Sequence, residues 1–486
     1  MIKSNLIKVL NQFSLVLLLI SPFAGNFLAS LISIATLNIT VRLLYHPGIP
    51  NVILGGILFQ WLQINAKIWY ANLKGIAFQE VFSLYGGQEN YEPAFYLSSA
   101  GLIFLTLGIY LILKRIDSIN FLERFNNEIN QYSPYKIMLG YIIISLAISV
   151  LFNFRLSVPG INTIIVAISK LKWGFYLLFF VVSLKTSKGF KIFILVTAIE
   201  IVISLTGYFS EFKYYVIFAF IGYVSYVFNF NLRKLVLLTP LIIVFLNFGI
   251  IWTAIKGDYR NYLSGNTDQQ IVVVSKTDAL NEFINLVSNL DTESYDLAIN
   301  YFIDRLSFIE FFALTLNVVP EQITYEEGKI WSNALTFYLK PRLFFPNKEV
   351  IDDSEHTSKY TGLLLADSEG GASHSIGFMT DSYIDFGPVL MHLPIFLLGI
   401  VLASCFKYFL LKSFNTIWGI VFASPFYLLA NFYSFNLIKV IGNIIIYVIV
   451  IYVLKRFFIR AIDPFFREKN INKIPPPKPE VVISVN

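Results

Sequence analysis

Residues 235–254 read LVLLTPLIIVFLNFGIIWTA, twenty consecutive positions without a charged side chain. A helix of that length is about 30 Å long, the thickness of a bilayer's hydrocarbon core, and it satisfies its own backbone hydrogen bonds there. The character changes abruptly after it. Lys256-Gly257-Asp258-Tyr259-Arg260 follows Ile255, and polar, acidic sequence continues to residue 385. Working outward, similar apolar windows occur at 5–22, 26–44, 51–70, 95–113, 136–153, 160–184, 191–207, 212–230, 386–406, 415–433 and 437–456. The predicted fold is therefore all-α: a polytopic transmembrane bundle of twelve spans with one large loop. Spans 1–9 occupy 1–254, the loop 255–385, spans 10–12 residues 386–458, and a loose tail residues 459–486. That tail is polar and carries Pro475-Pro476-Pro477.

Composition agrees. Of 486 residues, 56% are hydrophobic and 14% charged, where a soluble surface needs roughly a quarter charged. The first window has a second reading as a secretory signal, with Lys3 and Lys8 ahead of an apolar core; the later topology is the same either way.

Charge sets the orientation. Arg42, Lys114, Arg115, Arg124, Lys185, Lys188, Lys191, Arg233, Lys234, Lys407, Lys412 and the basic residues after Lys455 all fall on the side of the two termini. By the positive-inside rule both termini are cytoplasmic. The loop holds 20 acidic against 9 basic residues and the remainder 28 basic against 11 acidic. The net charge of +6 thus reports membrane orientation, and no nucleic-acid partner is expected. Cys405 is the only cysteine and the four histidines have no ligand spacing, so neither a disulfide framework, a metal site nor a cofactor is expected.

The loop is too long for a connector. Helical spacing of apolar residues runs through 278–290 and 296–318, a further helix could end at Pro341, and 368–375 is rich in Gly and Ser. Three cations stand out in this acidic setting: Arg260, Arg342 and Lys348. They read either as interfacial anchors or as a clamp for a phosphate-bearing substrate, since an Arg fork matches phosphate oxygens bidentately. Within the spans, Lys170, Lys172 and Glu200 suggest an internal polar site, unless residues 157–169 form a re-entrant segment. His374, in the Gly/Ser-rich stretch, is a candidate proton carrier or a structural residue. His356, among Asp353, Glu355 and Lys359, reads as a solvated surface residue.

These features together resemble the bacterial oligosaccharide repeat-unit polymerases, the Wzy-like or O-antigen polymerase family. Lys256-Gly257-Asp258-Tyr259-Arg260 is similar to the basic pair that such proteins carry after a span. Pro341-Arg342-Leu343-Phe344-Phe345-Pro346-Asn347-Lys348 is similar to their Pro-Arg-x-x-x-Pro-x-Lys segment. Asp381-Ser382-Tyr383-Ile384-Asp385-Phe386-Gly387 resembles their lead-in to the following span, with Asp385 where Asn is more usual. The resemblance implies a glycosyltransferase of the bacterial inner membrane, moving glycan from a polyprenyl-pyrophosphate-linked oligosaccharide to an acceptor hydroxyl in surface polysaccharide synthesis. Arg260, Arg342, Lys348, Lys170 and Lys172 would hold the pyrophosphate, and His374 or Asp381 would take the proton. The partners it implies are the lipid-linked glycan, membrane lipids, chain-length regulators and flippases. A ligase acting on the same donor, or a flippase of lipid-linked glycans, are the alternative functions.

Overall fold

The computed structural model describes residues 2–21, 25–153, 161–208, 211–227, 231–267, 271–340, 345, 351–365 and 373–468. Among them every regular element is a helix, and the one isolated β-bridge pairs Tyr132 with Arg467. Among the described residues, seven helices are long and apolar enough to cross a membrane. They fall at α2 (Phe27–Leu44), α4 (Tyr91–Leu113), α6 (Pro134–Asn153), α7 (Ile161–Ser169) with α8 (Leu171–Lys185), α11 (Leu232–Ser264), α18 (His392–Leu411) and α21 (Leu437–Phe457). The protein is a multi-pass membrane protein.

The remaining windows form helices of a different kind. α1 (Ile2–Ile20) packs on α2, with Asn38 donating to Ser14 Oγ at 2.7 Å and Arg42 donating to Asn11 at 2.6 Å. α3 (Val52–Lys74) is long but buries Gln60, Gln63, Asn65 and Lys67. α9 (Phe190–Leu205) and α10 (Phe212–Tyr226) have 16 and 15 residues. The window at 415–433 breaks into α19 (Thr416–Ala423) and α20 (Phe426–Ala430), because Pro425 cannot continue the hydrogen-bond ladder. The window at 160–184 is likewise two helices, broken at Lys170.

Close backbone approach holds the bundle together. A Cβ at Gly108 of α4 would strike the carbonyl of Phe396 in α18, and one at Gly399 of α18 would strike that of Leu105 in α4. Small residues at such crossings allow the dispersion contacts that replace the hydrophobic effect inside lipid. Gly174 of α8 and Gly419 of α19 make similar approaches to the Val421 and Leu410 carbonyls.

Helix ends gather at two poles. At one, α5 (Ser118–Ile129) lies with Phe121, Phe125 and Ile129 buried along one face. It meets the α19 start where the Thr416 amide and hydroxyl donate to Glu128 at 2.8 and 2.6 Å. α22 (Ile459–Phe466) sits at the same pole, where Ser133 N–H donates to the Phe466 carbonyl. Asp463 there accepts from Trp418, Arg467 and Tyr132, and these bonds hold its carboxyl below the usual range although burial pushes the other way.

The opposite pole carries the loop. Its helices are α12 (Lys276–Ser288), α13 (Thr292–Leu306), α14 (Glu310–Leu316), α15 (Lys329–Leu339) and α16 (Asp353–Thr361), then α17 (Phe378–Leu390). Ser275, Asp291 and Asp352 cap α12, α13 and α16 by accepting from amides one turn on. α17 bends at Gly387, whose φ of 72° only glycine adopts readily, and Pro388 follows it. The apolar helix expected over 386–406 consequently starts at His392 rather than at 386.

Candidate functional site

α11 continues beyond its apolar part and enters the loop-bearing pole as an uninterrupted helix up to Ser264. A small second core, formed by Leu205, Phe212, Ile255, Tyr259, Leu263, Ala279 and Phe283, fixes its roll. Tyr259 adds a hydrogen bond to the Leu205 carbonyl at 2.9 Å. On the neighbouring stripe, Lys256 and Arg260 are one turn apart and point toward α13. There, with Arg305 of α13, they line a cleft of about 530 Å³.

The cleft is cationic. Arg305, Arg260 and Lys213 all lie within electrostatic reach of Lys256 and repel it. Arg260 stacks its guanidinium 4.7 Å from the Tyr208 ring centre and donates Nε–H to the Tyr208 carbonyl. Thr253, Ser294 and Tyr301 supply further polar atoms to the lining. Converging guanidinium and ammonium groups suit an anion with several oxygens, phosphates above all.

Behind Arg305 lies a buried charge network. The Lys67 ammonium, wholly buried, is 2.7 Å from Asp304 Oδ1, 3.3 Å from Glu310 Oε1 and 2.7 Å from the Tyr91 hydroxyl. Burial raises the Glu310 carboxyl above its ordinary range; Lys67 pulls it down and Asp304 pushes it further up. Because Asp304 precedes Arg305 on the last turn of α13, its tie to Lys67 fixes the helix end from which Arg305 projects.

His374 stands at the far side of the same region. Its amide donates to Ser354 Oγ at 3.2 Å, and its carbonyl accepts from Thr357 Oγ1 at 2.7 Å. Its ring meets Tyr85 edge to face at 6.0 Å, and the Tyr85 phenol is within electrostatic reach of Glu310, Asp304 and Arg305. Burial holds the His374 imidazole below its ordinary pKa, so it is neutral near pH 7 and able to accept a proton.

The other anticipated residues are placed differently. Asp381 is 1% exposed, and both its oxygens are engaged: Oδ1 lies 2.7 Å from His356 Nε2, and Oδ2 accepts the Leu437 amide at 2.7 Å. Contact between Asp381 and an acceptor hydroxyl would require these bonds to give. His356 is accordingly no freely solvated residue, as its charged neighbours in sequence had suggested; its ring faces Asp381 and Tyr360. Lys170 donates to Asn443 at 3.2 Å. Lys172 is 2.6 Å from the Tyr215 hydroxyl and 3.6 Å from Glu200, which neutralises it. Neither lysine lines the cleft. Arg342 and Lys348 lie outside the described residues.

Sequence reasoning missed Arg305, Lys67 and Lys213. Each carried a signal: Arg305 is one of few cations in an acidic loop, and Lys67 and Lys213 are charges inside apolar windows. Among the described residues no three His, Cys, Asp or Glu side chains gather as metal ligands do.

A family model described as Domain of unknown function (DUF8712) matches residues 96–462. The chain belongs to that family. The match includes the cationic cleft, the His356–Asp381 pair and His374, whereas α1 to α3, with Lys67, precede it. No curated protein and no solved structure matches the chain.

Proposed function

We propose that this protein is a membrane glycosyltransferase that polymerises lipid-linked oligosaccharide repeat units on the outer face of a bacterial inner membrane. In this reading the chain makes twelve passes with both termini in the cytoplasm, which places the acidic loop and the cleft outside. The observation that carries it is the cleft between α11 and α13, where Lys256, Arg260 and Arg305 converge at the membrane-proximal end of the loop. A polyprenyl pyrophosphate keeps its lipid in the bilayer and its two phosphates at the surface, at the level where α11 leaves its apolar part.

Glycosyl transfer from such a donor develops charge on the departing pyrophosphate and positive character at the anomeric carbon. Fixed cations in a site of low dielectric lower that barrier. Arg260 and Arg305 hold the pyrophosphate with Lys256 between them, and Arg342 and Lys348 add the contacts implied by the motif; Lys170 and Lys172, which do not line the cleft, are left out of this role. His374 is the proton acceptor favoured here over Asp381, because Asp381 is already spent on His356 and the Leu437 amide.

The test is made in cells. A deletion strain is complemented with the wild-type gene, Arg305→Ala or Arg342→Ala, and surface glycans are resolved by length. Single repeat units displayed without long chains, in the deletion and in both variants, support a polymerase. Units stranded on the cytoplasmic leaflet indicate a flippase, and full-length chains left on the lipid carrier indicate a ligase; either result overturns the proposal.

A further inference from the structure

A second cationic pocket lies at the opposite pole, far from the loop. The ends of α18 and α21 and the start of α22 enclose about 480 Å³, lined by Lys412, Lys455, Arg456 and Arg460 together with Tyr408 and Tyr452. We propose that this pocket binds the phosphodiester headgroup of an anionic membrane phospholipid, with its acyl chains lying along the exposed apolar faces of α18 and α21.

Four observations converge. First, none of the four cations has a carboxylate partner among the described residues. The nearest acid on α22, Asp463, faces the other way and is used by Tyr132, Trp418 and Arg467. Four like charges in one pocket repel each other, and an anion relieves that. Second, the Lys455 ammonium sits 3.9 Å from the Tyr408 ring centre, which holds it at the pocket wall instead of letting it extend into solvent. Third, exposed apolar side chains precede the pocket residues at helical spacing: Val401, two turns before Tyr408 on α18, and Ile449 and Val453, one turn before Tyr452 and Arg456 on α21, are 50%, 57% and 42% exposed. A free phosphate would leave that surface unused, while two acyl chains would cover it. Fourth, α22 buries Ile459, Asp463 and Phe466 and leaves Arg460 outside, so it lies along the bundle end as an interfacial helix with its cation at headgroup level. Basic pockets between helix ends are where acidic lipid headgroups are held.

The inference is independent of the reading of the loop-side cleft. The full chain, purified in detergent, is titrated with phosphatidylglycerol, phosphatidylcholine or inorganic phosphate, and bound lipid is counted by native mass spectrometry. One phosphatidylglycerol is expected to bind saturably, well ahead of phosphatidylcholine. In K412Q/R456Q/R460Q its affinity should fall on the order of a hundred-fold, about five-fold per cation removed. A control with equal charge loss at the same pole, K114Q/R115Q/R124Q, should keep wild-type affinity. R460Q alone should lose about five-fold, which keeps the test valid if the triple variant does not fold. Equal binding of both lipids, equal loss in the control, unchanged affinity in R460Q, or displacement of the lipid by millimolar phosphate each overturns the proposal.

Discussion

Replacing Lys67 with Met removes the one positive charge from a buried network and keeps most of the side-chain volume. The wild-type ammonium is fully buried and within 3.3 Å of two carboxylates. Each contact is worth about 5–6 kcal/mol in Coulomb attraction at an effective dielectric constant of about 20, most of it offset by the cost of desolvating the charges. Losing the lysine forfeits the attraction while Asp304 and Glu310 stay buried, and breaking such a pair typically costs about 3–5 kcal/mol. At ~2 °C per kcal/mol, as for larger domains, the midpoint of thermal unfolding in detergent should drop by about 6–10 °C. Glu310→Gln on the K67M background removes one orphaned charge and should recover about 1–3 kcal/mol. Glu310 already titrates above the ordinary range in the wild type, and without Lys67 it will do so more strongly. Its penalty applies above that pKa and is relieved as pH falls through it, so the K67M deficit should be smaller at pH 5.5 than at pH 8. The reasoning fails if K67M melts within ~2 °C of wild type, or if adding E310Q deepens the loss.

Two other groups tie the loop to pH with opposite signs. Burial works against the charged His356, but the Asp381 carboxylate outweighs it with help from Asp353 and against Lys359, so the pKa sits above 6.5. Its stabilisation is full below 6.5 and fades as pH rises through the folded-state value; in D381N, hydrogen exchange of α16 should lose that slope. Glu326 is held at about 2 by the Tyr360 hydroxyl first and then by Lys359, so its contribution is present above 4.5 and lost as pH falls toward 2. Y360F should flatten the acid limb of a loop-unfolding curve. Gly399→Val places a branched side chain against the Leu105 carbonyl and should separate α4 from α18, read as loss of monodisperse protein; Leu397→Val, at a half-exposed position of the same helix, should be silent.

Hydropathy made the membrane helices legible because one physical rule, satisfying the backbone inside lipid, governs each of them locally. The loop helices were half legible. Apolar spacing located 278–290 and 296–318, against the observed α12, α13 and α14, but missed the stop at Ser307 that divides the second stretch. α16 went unseen because its sequence, DSEHTSKYT, has almost no apolar period; its cap on Asp352 and its contacts with His374 and Asp381 make it a helix. The cleft was legible on one side only. Arg260 follows a span and draws attention, whereas Arg305 gains meaning only when α13 is laid against α11. The roles of Asp381 and His356 depend on a contact across 25 residues that no local pattern encodes.

α11 has a consequence for how this family can vary. Of its membrane-crossing stretch only 6% is buried against the rest of the protein, and Val236, Leu237, Leu241 and Val244 are each more than half exposed. Its placement is set by its C-terminal part, through Ile255, Tyr259 and Leu263 with Phe245, Phe248 and Trp252 packed beside them. The stretch before Phe245 therefore has only its length and apolar character to preserve, and its residues should be free to drift one by one. Related chains should diverge fastest along this stem and come under restraint from Phe245 onward, where Phe248 and Trp252 meet Phe212 and Asn247 accepts from Tyr295, well before the first cation of the cleft.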